Sequence, residues 1–137
     1  PSDPGLIAYS APRTSILNNY VHDNYWGGIW VTFDSVDSIV SGNRVEHNGK
    51  GALDDGVKGG AGLSVRLRSH RVSLTNNLVS GNYVVAGDAW GATDPRGGLD
   101  VRDSDDLRIL NSLATGTVNG PDLVLLSETA QIYPDPR

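Results

Sequence analysis

The sequence predicts an all-β chain folded as a right-handed parallel β-helix of about four to five coils, with three short strands in each coil. Three observations carry that expectation. A unit of about 24 residues repeats along the chain. Apolar residues alternate with polar ones at the same places in each copy. An Asn- or Gly-containing turn recurs between the second and third strands. Repeats of this size, each too small to bury its own apolar face, stack into solenoids.

The first strand of the unit is clearest in Gly28-Ile29-Trp30-Val31-Thr32-Phe33, which lies 34 residues before Gly62-Leu63-Ser64-Val65-Arg66-Leu67. Further copies begin at Gly5-Leu6, Gly98-Leu99 and Asp122-Leu123. Strand alternation points Ile29, Val31 and Phe33 inward above Leu63, Val65 and Leu67. Trp30, Thr32, Ser64, Arg66, Asp100 and Arg102 then point outward. The second strand stacks Ile16, Val40, Leu74 and Ile109, and the third stacks Val21, Val45, Val79 and Ala114. Between them the turn reads Asn18-Asn19, Gly42-Asn43, Asn76-Asn77 and Asn111-Ser112. Asn and Gly accept left-handed backbone, and one stacked carboxamide can bond the next. The expected ladder is Asn19, Asn43, Asn77 and Asn111.

Spacing locates the irregularities. The starts at Gly5 and Gly28 are 23 residues apart and those at Gly98 and Asp122 are 24 apart, but the two middle coils span 34 and 36. The excess falls at one corner, as loop insertions over 49–61 and 83–97. Residues 1–137 read as one β-helix domain, expected to be a module of a longer protein because the chain starts Pro1-Ser2-Asp3-Pro4 without Met.

Composition agrees. The chain has 17 Gly, 1 Phe and neither Cys nor Met, so its core is built from Val, Leu and Ile, a set that favours short strands and frequent turns. No window carries apolar residues at helical spacing over three turns. A net charge of −5 disfavours a nucleic-acid partner. No apolar run is long enough to span a bilayer. Without Cys there is neither a disulfide framework nor thiolate chemistry.

The Asn-bearing turns and the repeat from Gly5 to about Tyr133 resemble the right-handed parallel β-helix (pectin-lyase-like) superfamily, which includes pectate lyases and alginate-epimerase-like proteins. The resemblance implies an active face on the outside of the first strands, bordered by insertions after the third. By position that face holds Trp30, Arg66, Asp100 and Arg102, with Trp90 and the acidic and basic residues of the insertions beside it. Trp30 and Trp90 suit a sugar face, and Arg66 and Arg102 suit the carboxylates of an acidic polysaccharide. The alternative reading makes the stacked Arg and Asp solvated salt bridges and buries Trp30 under a loop.

For a polysaccharide lyase or C5-epimerase, the resemblance implies a basic residue that removes the C5 proton, and Arg66 or Arg102 is the best placed. The Asp-Pro-His-Asp signature of alginate epimerases is absent, so catalysis is left open. No cofactor is expected. Asp103, Asp105 and Asp106 are the candidates for Ca²⁺, but they sit in a turn where Asp is ordinary and lack the glycine-rich nonapeptide of calcium-binding β-rolls. His22-Asp23-Asn24 reads as a solvated strand end.

Two functions follow as expectations. One is a carbohydrate-directed module, secreted or at a cell surface, that binds or acts on a polysaccharide. The other is a non-catalytic structural, adhesin or oligomerisation segment of a larger surface protein. The end coils are expected to contact another chain or a further part of the same protein, because Ile7, Tyr9, Val124 and Leu126 are apolar where the middle coils are polar.

Overall fold

A computed structural model describes residues 4–51, 60–84, 97–126 and 130–133. These residues form five stacked coils. Coil 1 contributes β1 (Leu6–Tyr9), β2 (Ser15–Leu17) and β3 (Tyr20–His22). Coil 2 contributes β4 (Ile29–Thr32), β5 (Ile39–Ser41) and β6 (Arg44–Glu46). Coil 3 holds β7 (Leu63–Val65), β8 (Ser73–Thr75) and β9 (Leu78–Ser80), and coil 4 holds β10 (Leu99–Arg102), β11 (Leu107–Leu110) and β12 (Leu113–Thr115). Coil 5 adds β13 (Leu123–Leu126) and β14 (Ala130–Tyr133). The first sheet runs β1-β4-β7-β10-β13, the second β2-β5-β8-β11-β14 and the third β3-β6-β9-β12. Every pairing is parallel.

The core is the set of inward columns expected from the alternation. Ile29 pairs in register with Leu63 and Val31 with Val65; Val40 pairs with Leu74, and Val45 with Val79. All of these are buried. Phe33 and Leu67 are the exceptions to the expected inward alternation. Their φ values of 52° and 53° are left-handed, so the strand ends before them. The Phe33 ring consequently faces out, with its centroid 4.5 Å from that of Tyr9.

Each corner of the coil carries a polar ladder. At the corner between the second and third strands, Asn43 Oδ1 accepts from Asn19 N at 2.9 Å and from Asn19 Nδ2 at 3.0 Å. Asn77 Oδ1 accepts in the same way from Asn43, at 3.1 and 3.0 Å. The fourth rung is Ser112, whose Oγ accepts from Asn77 N at 3.2 Å. Asn111, expected in the ladder, is instead the exposed left-handed residue before it, with φ 51°. The reason is the offset between coils 3 and 4. In the second sheet Leu74 pairs with Ile109, one residue more than the offset of 34 that relates Val40 to Leu74.

A second asparagine ladder, Asn24–Asn48–Asn82, follows the third strand. A serine ladder, Ser35–Ser69–Ser104, follows the first. Buried backbone at three corners is thus satisfied by short side chains that repeat with the coil. Close approach at the coil start explains its glycine: a Cβ on Gly28 would meet the Gly62 carbonyl oxygen and Val45 Cγ1.

Two charge columns run down the corner after the first strand, on left-handed residues. Arg68 holds Asp34 through two hydrogen bonds of 3.0 and 2.9 Å, and Arg71 holds Asp37 at 2.7 and 3.2 Å. Arg13 acts on Asp37 from the coil before, and Asp106 acts on Arg71 from the coil after. The column Arg13, Asp37, Arg71, Asp106 therefore alternates in sign. Hydrogen bonds from these arginines hold Asp34 and Asp37 below the usual carboxylate range.

The insertion stems agree with the single-corner assignment. Gly49 N and Gly51 N donate to the Asn24 and Tyr25 carbonyls, while Gly60 N donates to the next carbonyl, that of Trp26. The chain leaves and returns at one place. Residues 52–59 and 85–96, which include Trp90 and most of both insertions, lie outside the described residues.

Candidate functional site on the outer face of the first sheet

The outward positions of the first sheet form two rows. One is Ile7, Trp30, Ser64, Asp100 and Val124; the pairings Ile7–Trp30, Trp30–Ser64, Ser64–Asp100 and Asp100–Val124 set it. The other contains Tyr9, Thr32, Arg66, Arg102 and Leu126, with Tyr9 paired to Thr32 and Arg102 to Leu126. The middle of both rows is polar and its ends are apolar.

The structure brings Trp30, Arg66, Asp100 and Arg102 onto one face, as their spacing in the repeat requires. Their environment differs from a solvated salt-bridge surface. Trp30 is 9% exposed, Thr32 1%, Ser64 0%, Asp100 0% and Arg102 8%. Trp30 has two close partners. The Arg66 guanidinium carbon sits 4.3 Å from its ring centroid, a cation–π distance. The Trp26 ring stacks with its centroid 6.5 Å away and the planes 23° apart. An open Trp30 face for a sugar is therefore not what the sequence pattern produces: Arg66 occupies that place.

Asp100 and Arg102 form a bidentate pair, Nε to Oδ1 and Nη2 to Oδ2, both at 2.9 Å. Residues i and i+2 of one strand share a face, so the pair closes within β10. Neither carboxylate nor guanidinium is left at the surface. Such a guanidinium is a positioning group, since arginine keeps its proton in proteins.

Next to this pair lie buried polar atoms that make no hydrogen bond. They include Trp30 Nε1, Thr32 Oγ1 and Ser64 Oγ. They occupy adjacent positions of β4 and β7. A buried polar group without a partner costs about 1–3 kcal/mol, and such groups concentrate where a ligand or water is meant to sit.

The other candidate residues lie in turns and at a strand end. Asp103 and Asp106 are left-handed turn residues, with φ 46° and 57°. The Asp105 backbone N donates to His70 Nδ1 at 2.8 Å. Among the described residues no three acidic, His or Cys side chains gather as a metal cage. His22 Nδ1 lies 2.7 Å from Asp23 Oδ2, and both side chains are exposed, as expected for a strand end.

A cluster the sequence reading did not single out lies on the outer face of the third sheet. Glu46 accepts from Arg44 Nε at 2.7 Å, from Ser80 Oγ at 3.1 Å and from the Tyr20 hydroxyl at 3.2 Å. The Arg44 hydrogen bond, followed by those of Ser80 and Tyr20, overcomes burial and holds the Glu46 carboxyl below its ordinary value. The available signal was register: Tyr20 stacks on Arg44 and His22 on Glu46, so the four form one block.

No curated protein and no solved structure matches the chain at a significant level. A family model does, the right handed beta helix region, over residues 2–134. The three parallel sheets, built coil upon coil, fit that description, and the chain belongs to the right-handed β-helix family.

Proposed function

We propose that the outer face of the first sheet binds an acidic polysaccharide. The observation that carries this reading is the group of buried polar atoms at Trp30, Thr32 and Ser64 that make no hydrogen bond, next to the arginine stacked on Trp30. A saccharide supplies what those atoms lack: ring and hydroxyl oxygens accept from the indole N–H, and its hydroxyls exchange bonds with Thr32 and Ser64. A uronate carboxylate would draw the Arg66 guanidinium off the ring, and the sugar's apolar face would replace it on Trp30. Binding in this scheme puts a stacked sugar in place of the cation–π contact on Trp30 and gives the guanidinium a carboxylate partner. Arg102, locked to Asp100, would shape the floor of the site. Among the described residues the face offers positioning groups and no exposed base, so the reading is one of binding. A secreted or cell-surface location accords with such a ligand.

The test uses Thr32→Val and Ser64→Ala, which remove the hydroxyls at nearly constant shape. Each variant should keep or raise the thermal midpoint, because a buried unsatisfied group is lost. Each should also weaken binding to polygalacturonate or alginate oligosaccharides by about 2–10-fold, the worth of one neutral hydrogen bond. Trp fluorescence on titration reads the displacement of Arg66 directly. Absence of uronate binding by the wild-type chain, or full binding by both variants, refutes the proposal. The exposed apolar residues of the end coils favour a second reading, a segment that associates through its ends.

A further inference from the structure

Arg66 reaches Trp30 diagonally across two strands. Trp30 pairs in register with Ser64, and Arg66 stands two residues further along the later strand, on the same face. The ladder continues to that point, since Arg66 N donates to Val31 O at 3.0 Å. Ser64 is small, so the residue directly opposite Trp30 leaves the path open. The Arg66 guanidinium carbon thus comes to 4.3 Å from the ring centroid. The ring is the fixed member of the pair: Trp30 is buried, and the Trp26 ring stacks beside it. Arg66 is half-buried on a long flexible stem, so it is the member able to move.

The second cation among the described outward residues, Arg102, is held in place. Asp100 takes it by Nε and Nη2, both at 2.9 Å, and the pair is buried. Discrimination by charge on this face therefore falls to Arg66. A cation laid on an indole is attracted by the ring quadrupole, more strongly as it is desolvated. A saccharide that stacks on Trp30 has to displace it. An acidic sugar gives the displaced guanidinium a carboxylate to hold in a charge-assisted pair. A neutral sugar offers only hydroxyls, which are weaker partners, so the lost contact counts against its binding. Selectivity of this kind penalises the wrong ligand as well as rewarding the right one.

We infer that Arg66 is the specificity-determining residue of this face, a displaceable cover on Trp30 that admits uronates and turns neutral saccharides away. This role rests on the saccharide reading of the face, and it adds which saccharides are refused and by which side chain.

A matched pair of ligands isolates the role: oligogalacturonate, and the same oligosaccharide fully methyl-esterified, which keeps the sugar and loses the charge. The ratio of the two affinities on one protein cancels any general loss of folding. Wild type should prefer the free acid, and that preference should shrink as salt rises. Arg66→Ala should bind the methyl ester about 2–30-fold more tightly than wild type, the worth of a cation–π contact from exposed to desolvated. It should also lose the preference for the acid. Arg66→Lys keeps the charge without the flat guanidinium, so part of the preference should survive. Titration calorimetry reads all three proteins, once circular dichroism melts establish that the variants are folded. Free acid bound by wild type, with no gain for the ester in Arg66→Ala, overturns the role of Arg66 and leaves the saccharide reading standing. Equal affinity of wild type for both ligands, or no preference left in Arg66→Lys, overturns the role as well. No binding of the free acid by wild type overturns the saccharide reading itself, and the role of Arg66 with it.

Discussion

Asn77→Ala removes a buried rung of the ladder between the second and third strands. In the native chain Asn77 Oδ1 accepts from Asn43 N and Nδ2, while its Nδ2 donates to Val40 O at 2.9 Å. The variant leaves the Asn43 amide and the Val40 carbonyl buried without those partners. At about 1–3 kcal/mol for each such group, the loss is about 2–6 kcal/mol. With roughly 4 °C of midpoint per kcal/mol for a domain of intermediate size, the thermal midpoint should fall by about 8–24 °C. Asn19→Ala is the internal control. Asn19 is only half-buried, and it gives up two donations, to Leu17 O and Asn43 Oδ1. Its cost should be near 1 kcal/mol. Asn77→Ser should fall between the two, because Ser112 already serves as a rung with a hydroxyl. Urea denaturation followed by circular dichroism measures all three. Equal losses for Asn19→Ala and Asn77→Ala, or an unchanged midpoint for Asn77→Ala, would refute the view that stacked carboxamides satisfy the buried corner.

Acid should destabilise the chain through Asp34, Asp37 and Glu46, whose folded-state pKa values lie below the ordinary ones. The sign follows from linkage: their contribution is complete above the ordinary carboxylate range near pH 4 and is lost as pH falls through the folded values. Urea midpoints measured from pH 7 to pH 2 should show a shallower acid slope in Asp34→Asn/Asp37→Asn than in the wild type, and an identical slope would contradict the ion-pair columns. At the buried pair, Asp100→Ala should cost about 3–5 kcal/mol by removing the bidentate partner of the Arg102 guanidinium. Asp100→Leu with Arg102→Met should recover most of that loss in the same melt, and a double variant no better than the single would show that the pair is not the cause.

The repeat made most of the architecture legible. Ile29, Val31, Val40, Val45 and their stacked partners could be placed inward from alternation alone, because a β-helix uses the same side-chain direction at the same point of each coil. The Asn-bearing turns were legible for the same reason. The fourth rung turns on register: each rung lies three residues after the inward residue of the second strand, so the pairing of Leu74 with Ile109 puts Ser112, and not its neighbour Asn111, in line. The outer face was legible as a set of residues but not as an environment. Spacing put Trp30, Arg66, Asp100 and Arg102 together, yet burial, the Arg66 stack on Trp30 and the closed Asp100–Arg102 pair depend on three-dimensional packing that no periodicity encodes. By itself, then, the sequence determined coil number, strand direction and core, since these follow from local alternation and a repeat length. Tertiary structure decided which polar groups are buried and which side chains they meet, since that depends on what the coils bring together across distances of 24 to 38 residues.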